Sequence, residues 1–163
     1  MSIEFRSGLG WDTHKLTTGR PLILGGVRIE SPKGLTGHSD ADVLSHAITD
    51  ALLGAAALGD IGTHFPDTDP QWKGVDSLQL LHHAVQLVRM GGRRIVNIDA
   101  NVILEKPKLQ DYRLAIRESL AKTLGITVDR VSVKFKTAEG MGPAGKGQSA
   151  EAQAVATIAV TVG

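Results

Sequence analysis

Three short segments carry residue types able to hold a metal ion. Asp12-Thr13-His14 sets a carboxylate and an imidazole two residues apart, and on a strand positions i and i+2 face the same side. His38-Ser39-Asp40-Ala41-Asp42 is followed by His46 and Asp50. On a helix Asp42, His46 and Asp50 fall at i, i+4 and i+8 and make a polar stripe. Two histidines and one carboxylate suit a zinc site that leaves a fourth position open for water or substrate. The competing reading is plain: an Asp/His stripe is more often a solvated helix face, and Asp-x-His alone is a weak sign. Gly8, Gly10 and Gly37 flank these segments and permit close backbone packing. The chain has no cysteine, which excludes thiolate metal sites, cysteine nucleophiles and disulfides, so a transition metal must be held by histidine and carboxylate.

Two glycine-rich patterns are decoys. Gly140-Met141-Gly142-Pro143-Ala144-Gly145 spells a dinucleotide-binding G-x-G-x-x-G. Pro143 interrupts it, no helix pattern clearly opens from it, and no ribose-binding acid follows. Gly140 to Gly147 nearly spells a P-loop, but Gly147 replaces the Ser/Thr that would hold magnesium. A flexible loop with Lys146, able to cradle an anion, remains, and a simple strand-to-strand loop explains it equally well. Asp60-Ile61-Gly62 and Phe65-Pro66-Asp67-Thr68-Asp69 form an acidic loop suited to hydroxyls or magnesium. Taken alone, it reads better as a helix-ending turn. Glu139, after a strand, is placed either to meet a phosphate-bound Mg²⁺ or to sit in solvent. His64, His82 and His83 read as surface residues, and Trp11 and Trp72 as packing.

The elements that must position these residues alternate strand and helix. Residues 3–12 suggest a strand. Pro21 to Glu30 suggests a hairpin turning at Gly25-Gly26. Periodicity predicts a helix from about Asp40 to Leu58, with Ser39 or Asp40 as N-cap and Gly59 as stop. Its apolar face is Val43, Leu44, Ala47, Ile48, Ala51, Leu52 and Ala55. Residues 59–76 read as a loop, Ser77 to Met90 as a helix, Ile95 to Leu104 as a strand, Asp111 to Leu124 as a helix and Val131 to Thr137 as a strand. The alternating tail, Ala154, Ala156, Ile158 and Val160 against Val155, Thr157, Ala159 and Thr161, reads as a last strand, although its alanines also suit a helix. The fold class expected is α+β: a small mixed β-sheet with helices packed on one face, as a single domain over 1–163.

Bulk properties narrow the partners. The 163 residues are 42% hydrophobic, 21% charged and only 4% aromatic, so an aliphatic core is expected. Net charge is +1, and no Lys/Arg run exceeds Arg93-Arg94, which argues against nucleic acid. No stretch approaches the roughly 18 apolar residues of a membrane span. The first residues lack the apolar stretch of a signal peptide, so a cytoplasmic location is expected.

The motifs, taken in order, resemble one family over nearly the whole chain: the 2-C-methyl-D-erythritol 2,4-cyclodiphosphate synthases. The resemblance is carried by Gly10-Trp11-Asp12-Thr13-His14, by Gly37-His38-Ser39-Asp40-Ala41-Asp42-Val43 with His46, and by Asp50-Ala51-Leu52-Leu53-Gly54-Ala55. It continues through Leu58-Gly59-Asp60-Ile61-Gly62 and Phe65-Pro66-Asp67-Thr68-Asp69-Pro70. It implies a homotrimer with active sites between subunits, acting on a cytidine diphosphate ester of methylerythritol 2-phosphate. The 2-phosphate attacks the β-phosphorus and CMP leaves. Asp12, His14 and His46 match zinc ligands, and Glu139 matches the acid that helps hold Mg²⁺ or Mn²⁺ on the diphosphate. His38, Ser39, Asp60, Ile61, Gly62, Phe65, Pro66, Asp67, Thr68 and Asp69 match the methylerythritol phosphate pocket. Leu104, Glu105, Lys106, Pro107, Lys108 and Leu109 match the cytosine pocket. His38 and Thr137 match positions that stabilise the transition state. Lys136, Ala138, Pro143 and Lys146 complete the expected substrate contacts. On this resemblance Asp42 and Asp50 become supporting residues rather than ligands.

The chain departs from the family pattern in places. Lys136 stands in a run, Lys136-Thr137-Ala138-Glu139, where threonines are usual. Pro143 replaces a frequent aromatic, Lys146 a frequent arginine and Gln153 a frequent glutamate. In relatives the last three lie by the trimer axis, where isoprenoid diphosphates bind. Lysine lacks arginine's bidentate fork, so weak or absent binding is expected there. Two other readings compete: a non-catalytic trimeric sensor of nucleotides or isoprenoid diphosphates, and a metal-dependent phosphohydrolase using the same triad with water.

Overall fold

A long first strand organises the molecule. In a computed structural model describing residues 1–163, β1 runs from Ser2 to Thr18 and pairs antiparallel with β7, Ser149–Val162, from Ser2 opposite Val162 to Lys15 opposite Ser149. The sequence pattern suggested a strand only to Asp12. Polar residues 12–15 break the hydrophobic signal, but backbone pairing to β7 and to β4, Lys33–Thr36, carries the strand on. The hairpin at Gly25-Gly26 is present as β2, Leu22–Leu24, and β3, Val27–Ile29. β4 had no counterpart in the sequence reading, because four residues are too few for a periodicity.

The main sheet has the order β4-β1-β7-β5-β6, where β5 is Arg93–Ile103 and β6 is Val131–Lys136. Only β5 and β6 are parallel, so the sheet is mixed. They are joined through α4, Arg113–Leu124, which Gly125 ends in the left-handed conformation at φ 64°. α3, Ser77–Met90, has the predicted limits and is capped by Asp76. The loop at 59–76 holds α2, Ile61–His64, and a 3₁₀ turn, Pro70–Trp72. The glycine loop holds α5, Gly142–Gly145. No helix is long and apolar enough to cross a membrane.

The core lies between one sheet face and the helices. α1, Val43–Ala55, buries Leu44, Ala47, Ile48, Ala51 and Leu52 completely. It meets Ala150, Ala152, Ala154, Ala156 and Ile158 of β7, also buried. Small side chains on both sides let the helix lie close to the sheet. The closest approach is at Gly10: a Cβ there would lie 2.8 Å from the Ala47 carbonyl carbon and nearer still to its oxygen. The opposite sheet face is bare. Ile3, Phe5, Leu9 and Trp11 on β1 and Val155 on β7 are 62%, 62%, 72%, 54% and 42% exposed. Trp11, expected to pack, stands on this open face.

α1 begins three residues later than the sequence suggested, and its N-cap is Asp42. This residue is not part of a solvated stripe: it is fully buried. Its carboxylate accepts from the amides of Gly25, Gly26 and Ser45 and from the Ser45 hydroxyl, at 2.7–3.0 Å. Asp42 therefore ties the hairpin turn to the helix start. Burial raises its pKa, and the four donors oppose that rise.

Candidate metal centre and substrate cavity

β1 presents Asp12 and His14 on one face, and the second turn of α1 presents His46 across from them. His14 Nε2 lies 2.9 Å and His46 Nδ1 3.0 Å from Asp12 Oδ2. The two ring nitrogens are 3.2 Å apart. Donor atoms on a tetrahedral ion with bonds of 2.0–2.1 Å are about 3.3 Å apart, so the three atoms are spaced for one small ion. Gly37 stays clear of the site, since its Cβ would lie 2.9 Å from His14 Cε1.

The hydrogen bonds behind the rings show that these atoms are set up as ligands. His14 Nδ1 donates to the Thr36 carbonyl at 3.1 Å, leaving the Nε2 lone pair to face Asp12. His46 Nε2 lies 2.8 Å from Ser77 Oγ and 3.1 Å from Ser39 Oγ. The Ser77 hydroxyl donates to Asp40 Oδ1 through a very short contact, so Ser77 accepts from His46 Nε2–H. That fixes the tautomer and turns the Nδ1 lone pair inward. Three acceptor atoms then converge, an arrangement that calls for a cation. Asp50, the third member of the predicted stripe, instead accepts from the Ile61 amide at 2.7 Å and anchors the next loop.

Electrostatics agree. Burial pushes the Asp12 carboxyl up, but hydrogen bonds and charge from His14 and His46 outweigh it and hold the pKa at about 2. Burial opposes a charge on His14, yet the Asp12 carboxylate and the Thr36 carbonyl raise its pKa above 6.5.

Ser77 and Asp40 had no local sequence signal for this role, since the contact spans 37 residues. Ser77→Ala is expected to weaken metal binding at this centre about 10–100-fold, the usual effect of losing a ligand's hydrogen-bond partner. Competition with a chromophoric chelator measures it, and unchanged affinity would remove Ser77 from the account.

A cavity of about 430 Å³ opens over this centre. It is lined by His14, His38, Ser39, His46, Ile61, Gly62, Phe65, Pro66, Asp67 and Thr68, with Trp72 and Leu80. Asp60 and Asp69 are not among the lining residues: Asp60 caps α2 through Thr63, and Asp69 caps the Pro70–Trp72 turn. Phe65 packs edge-on to Trp72 and His83, with ring centres 5.1 and 5.4 Å apart. His83 is exposed, as expected, with its ring edge-on to Phe65, while His64 is half-buried and donates to the Leu58 carbonyl at 2.7 Å.

The remaining predicted residues gather elsewhere. Leu104, Glu105, Pro107, Lys108, Leu109, Lys136 and Thr137 line a cavity of about 200 Å³ with Gln110, Arg113 and Phe135. Beside it, Lys106 and Lys146 line a cavity of about 750 Å³ that also takes in Glu105, Lys108 and Lys33, a residue not singled out from sequence. Glu105 accepts from the Ala138 amide at 3.1 Å. Glu139 has φ 53°, unusual for a residue with a side chain, and its carboxylate accepts from the Thr137 hydroxyl at 3.2 Å. Pro143 opens α5, outside these cavities. Neither of these two cavities shares a lining residue with the one over the Asp12, His14 and His46 centre.

Fold and site together define an α+β domain with an Asp/His/His centre under a cavity. The YgbB family model matches residues 5–159. A 2-C-methyl-D-erythritol 2,4-cyclodiphosphate synthase of Solibacter usitatus is 65% identical over 155 residues, covering 95% of this chain and 98% of that protein. A solved 2C-methyl-D-erythritol-2,4-cyclodiphosphate synthase in a CDP-bound form is 43% identical with a TM-score of 0.86, covering 93% and 98% of the two chains. The bifunctional IspDF of Campylobacter jejuni is 40% identical with a TM-score of 0.93, covering 98% of this chain and 43% of that one. The chain belongs to the YgbB family of 2-C-methyl-D-erythritol 2,4-cyclodiphosphate synthases.

Proposed function

We propose that the protein is a phosphorus–oxygen lyase that closes the 2-phosphate of 4-diphosphocytidyl-2-C-methyl-D-erythritol 2-phosphate onto its own β-phosphorus, releasing CMP and the 2,4-cyclodiphosphate for isoprenoid precursor synthesis. The observation that carries this reading is the convergence of Asp12 Oδ2, His14 Nε2 and His46 Nδ1 within 3.2 Å of one another at the cavity lined by His38, Ser39 and the 61–68 loop. Zinc at Asp12, His14 and His46, and Mg²⁺ or Mn²⁺ with Glu139, would supply positive charge to the crowded phosphoryl oxygens. Nucleophile and electrophile belong to one molecule, so the protein's main task is positioning. Asp67, Thr68 and the Gly62 backbone are placed to hold the methylerythritol hydroxyls. The turn Leu104 to Leu109 is placed to read cytosine, with Lys106, Lys108, Lys136 and Lys146 near its phosphates. His38 and the Thr137 hydroxyl are placed to stabilise charge as the ring closes. Ala138 contributes backbone, and Pro143 shapes the loop that carries Lys146. A cytoplasmic location and a single domain over 1–163 belong to the same proposal.

The assembly we propose is a homotrimer with each active site between two subunits. Two observations support it. The metal-side and nucleotide-side cavities of one chain have no lining residue in common. The sheet face bearing Ile3, Phe5, Leu9, Trp11 and Val155 is apolar and uncovered, as in a surface meant for a partner. A shared site predicts complementation. His46→Ala and Glu139→Ala chains, each inactive alone, are refolded together in equal amounts and assayed for CMP release. Random assembly restores about one quarter of the sites. Activity no greater than that of either parent would place both residues in a site built from one chain.

A further inference from the structure

One concave surface is used by nothing above. A cavity of about 480 Å³ is lined by Arg89, Arg93, Arg94 and Arg130, with Gly125 and Thr127 among its other walls. Arg89 is in the last turn of α3, Arg93 and Arg94 begin β5, and Arg130 precedes β6. Because β5 and β6 are parallel, the cavity lies at the end where both begin. The nucleotide-side turn after Ile103 is therefore a strand length away, about 30 Å.

We propose that this cavity is a second anion site, for a small molecule bearing a diphosphate. Four arginines line one hollow of a protein whose net charge is only +1. No carboxylate lines it. The Lys/Arg–carboxylate ion pairs in the structure are Arg6–Glu4 and Lys134–Asp99, so none of the four makes a salt bridge, although the Arg130 charge is felt by Asp129. Asp129, on the same turn as Arg130, is bound by Thr127 and is absent from the lining. A solvated face explains scattered arginines, but these four border one hollow that no acid lines. The site is also held in place. Arg89 donates to the carbonyls of Leu124 and Gly125 at 3.0 and 3.2 Å, fixing its guanidinium at the end of α4. Glycine suits position 125, where the backbone is left-handed at φ 64°. Arginine pairs with phosphate oxygens through two parallel bonds, and several arginines suit the higher charge of a diphosphate. The compact hollow selects a small ligand over a polymer.

The test is a titration of the full chain with inorganic diphosphate in the presence of EDTA, which removes metal-dependent binding at the Asp12 centre. The readout is the NMR signal of the arginine Nε–H groups and backbone amides. Shifts are expected at Arg93 Nε–H, Gly125 and Thr127. The double variant Arg93→Gln/Arg94→Gln should bind at least about tenfold more weakly, with CMP release unchanged. Arg93→Lys/Arg94→Lys should lose a similar amount, because lysine keeps the charge without the fork. Arg130→Gln, on an exposed turn, gives a severalfold loss that does not depend on the β5 variants folding. Three results would each overturn the proposal: shifts confined to the surroundings of His14, His46 and Thr137, lysine variants that bind as tightly as the unmodified chain, or a single-stranded oligonucleotide that takes these arginines more tightly than diphosphate.

Discussion

Gly10→Ala is expected to cost the protein more than about 4 kcal/mol, a large share of the stability of a domain this size. The added methyl has nowhere to go. It would meet the Ala47 carbonyl carbon and the Ala51 amide nitrogen, each at 2.8 Å. These are backbone atoms inside α1, and they yield only if the whole helix moves off the sheet. Such a shift would break the packing of Ala47 and Ala51 against β1 and draw His46 away from Asp12 and His14. Gly8 sits one turn along and would strike α1 in the same way, at the Ala55 backbone. Gly54 provides the contrast: its Cβ would come no closer than 3.9 Å to a neighbour. Gly54→Ala lies in a helix and should be neutral or stabilising by up to about 1 kcal/mol. Urea unfolding of the two variants measures the difference. A loss below 1 kcal/mol for Gly10→Ala would show that helix and sheet are less tightly joined than described.

His46→Ala carries the second large effect, on chemistry rather than on folding. It deletes one of three donor atoms, and two ligands on one strand cannot complete a catalytic zinc site. Turnover should fall by about 10³-fold or more, since metal stabilisation of phosphoryl charge supplies several kcal/mol. The fold should survive, because α1 is held by its buried apolar face and by the Asp42 cap. Stripping metal from the unmodified protein with a chelator should give the same loss, and added Zn²⁺ should restore that protein but not the variant. Activity within tenfold of the parent, in a folded and zinc-poor variant, would separate catalysis from this centre.

Much of the fold was legible from periodicity and stop signals. α3 has the predicted limits because an Asp before it and two glycines after it punctuate a regular apolar face. The final strand was legible from strict alternation, and its alanines proved to be what lets α1 approach. Where the reading fell short, the cause was tertiary. The extension of β1 beyond Asp12 depends on partners far away in sequence. Asp42 looked like one rung of an Asp/His stripe, since spacing cannot show that its carboxylate turns back to cap the helix and hold Gly25-Gly26. Asp12, His14 and His46 stood out as chemical types, but the Ser77–Asp40 pair that orients His46 joins residues with no shared local pattern. The division of the expected site residues between cavities with no shared lining was hidden because it depends on how the strands and loops come together in the fold.

The central claim is that the 2-phosphate of the substrate, not water, attacks the β-phosphorus. The direct measurement is phosphorus NMR of the reaction run in ¹⁸O-enriched water with Zn²⁺ and Mg²⁺. The account predicts CMP and one cyclic diphosphate, with no isotope shift on any phosphorus signal and no product when the metals are chelated. A linear phosphate product whose signal is shifted by solvent oxygen would contradict it and make the protein a phosphohydrolase built on the same three ligands.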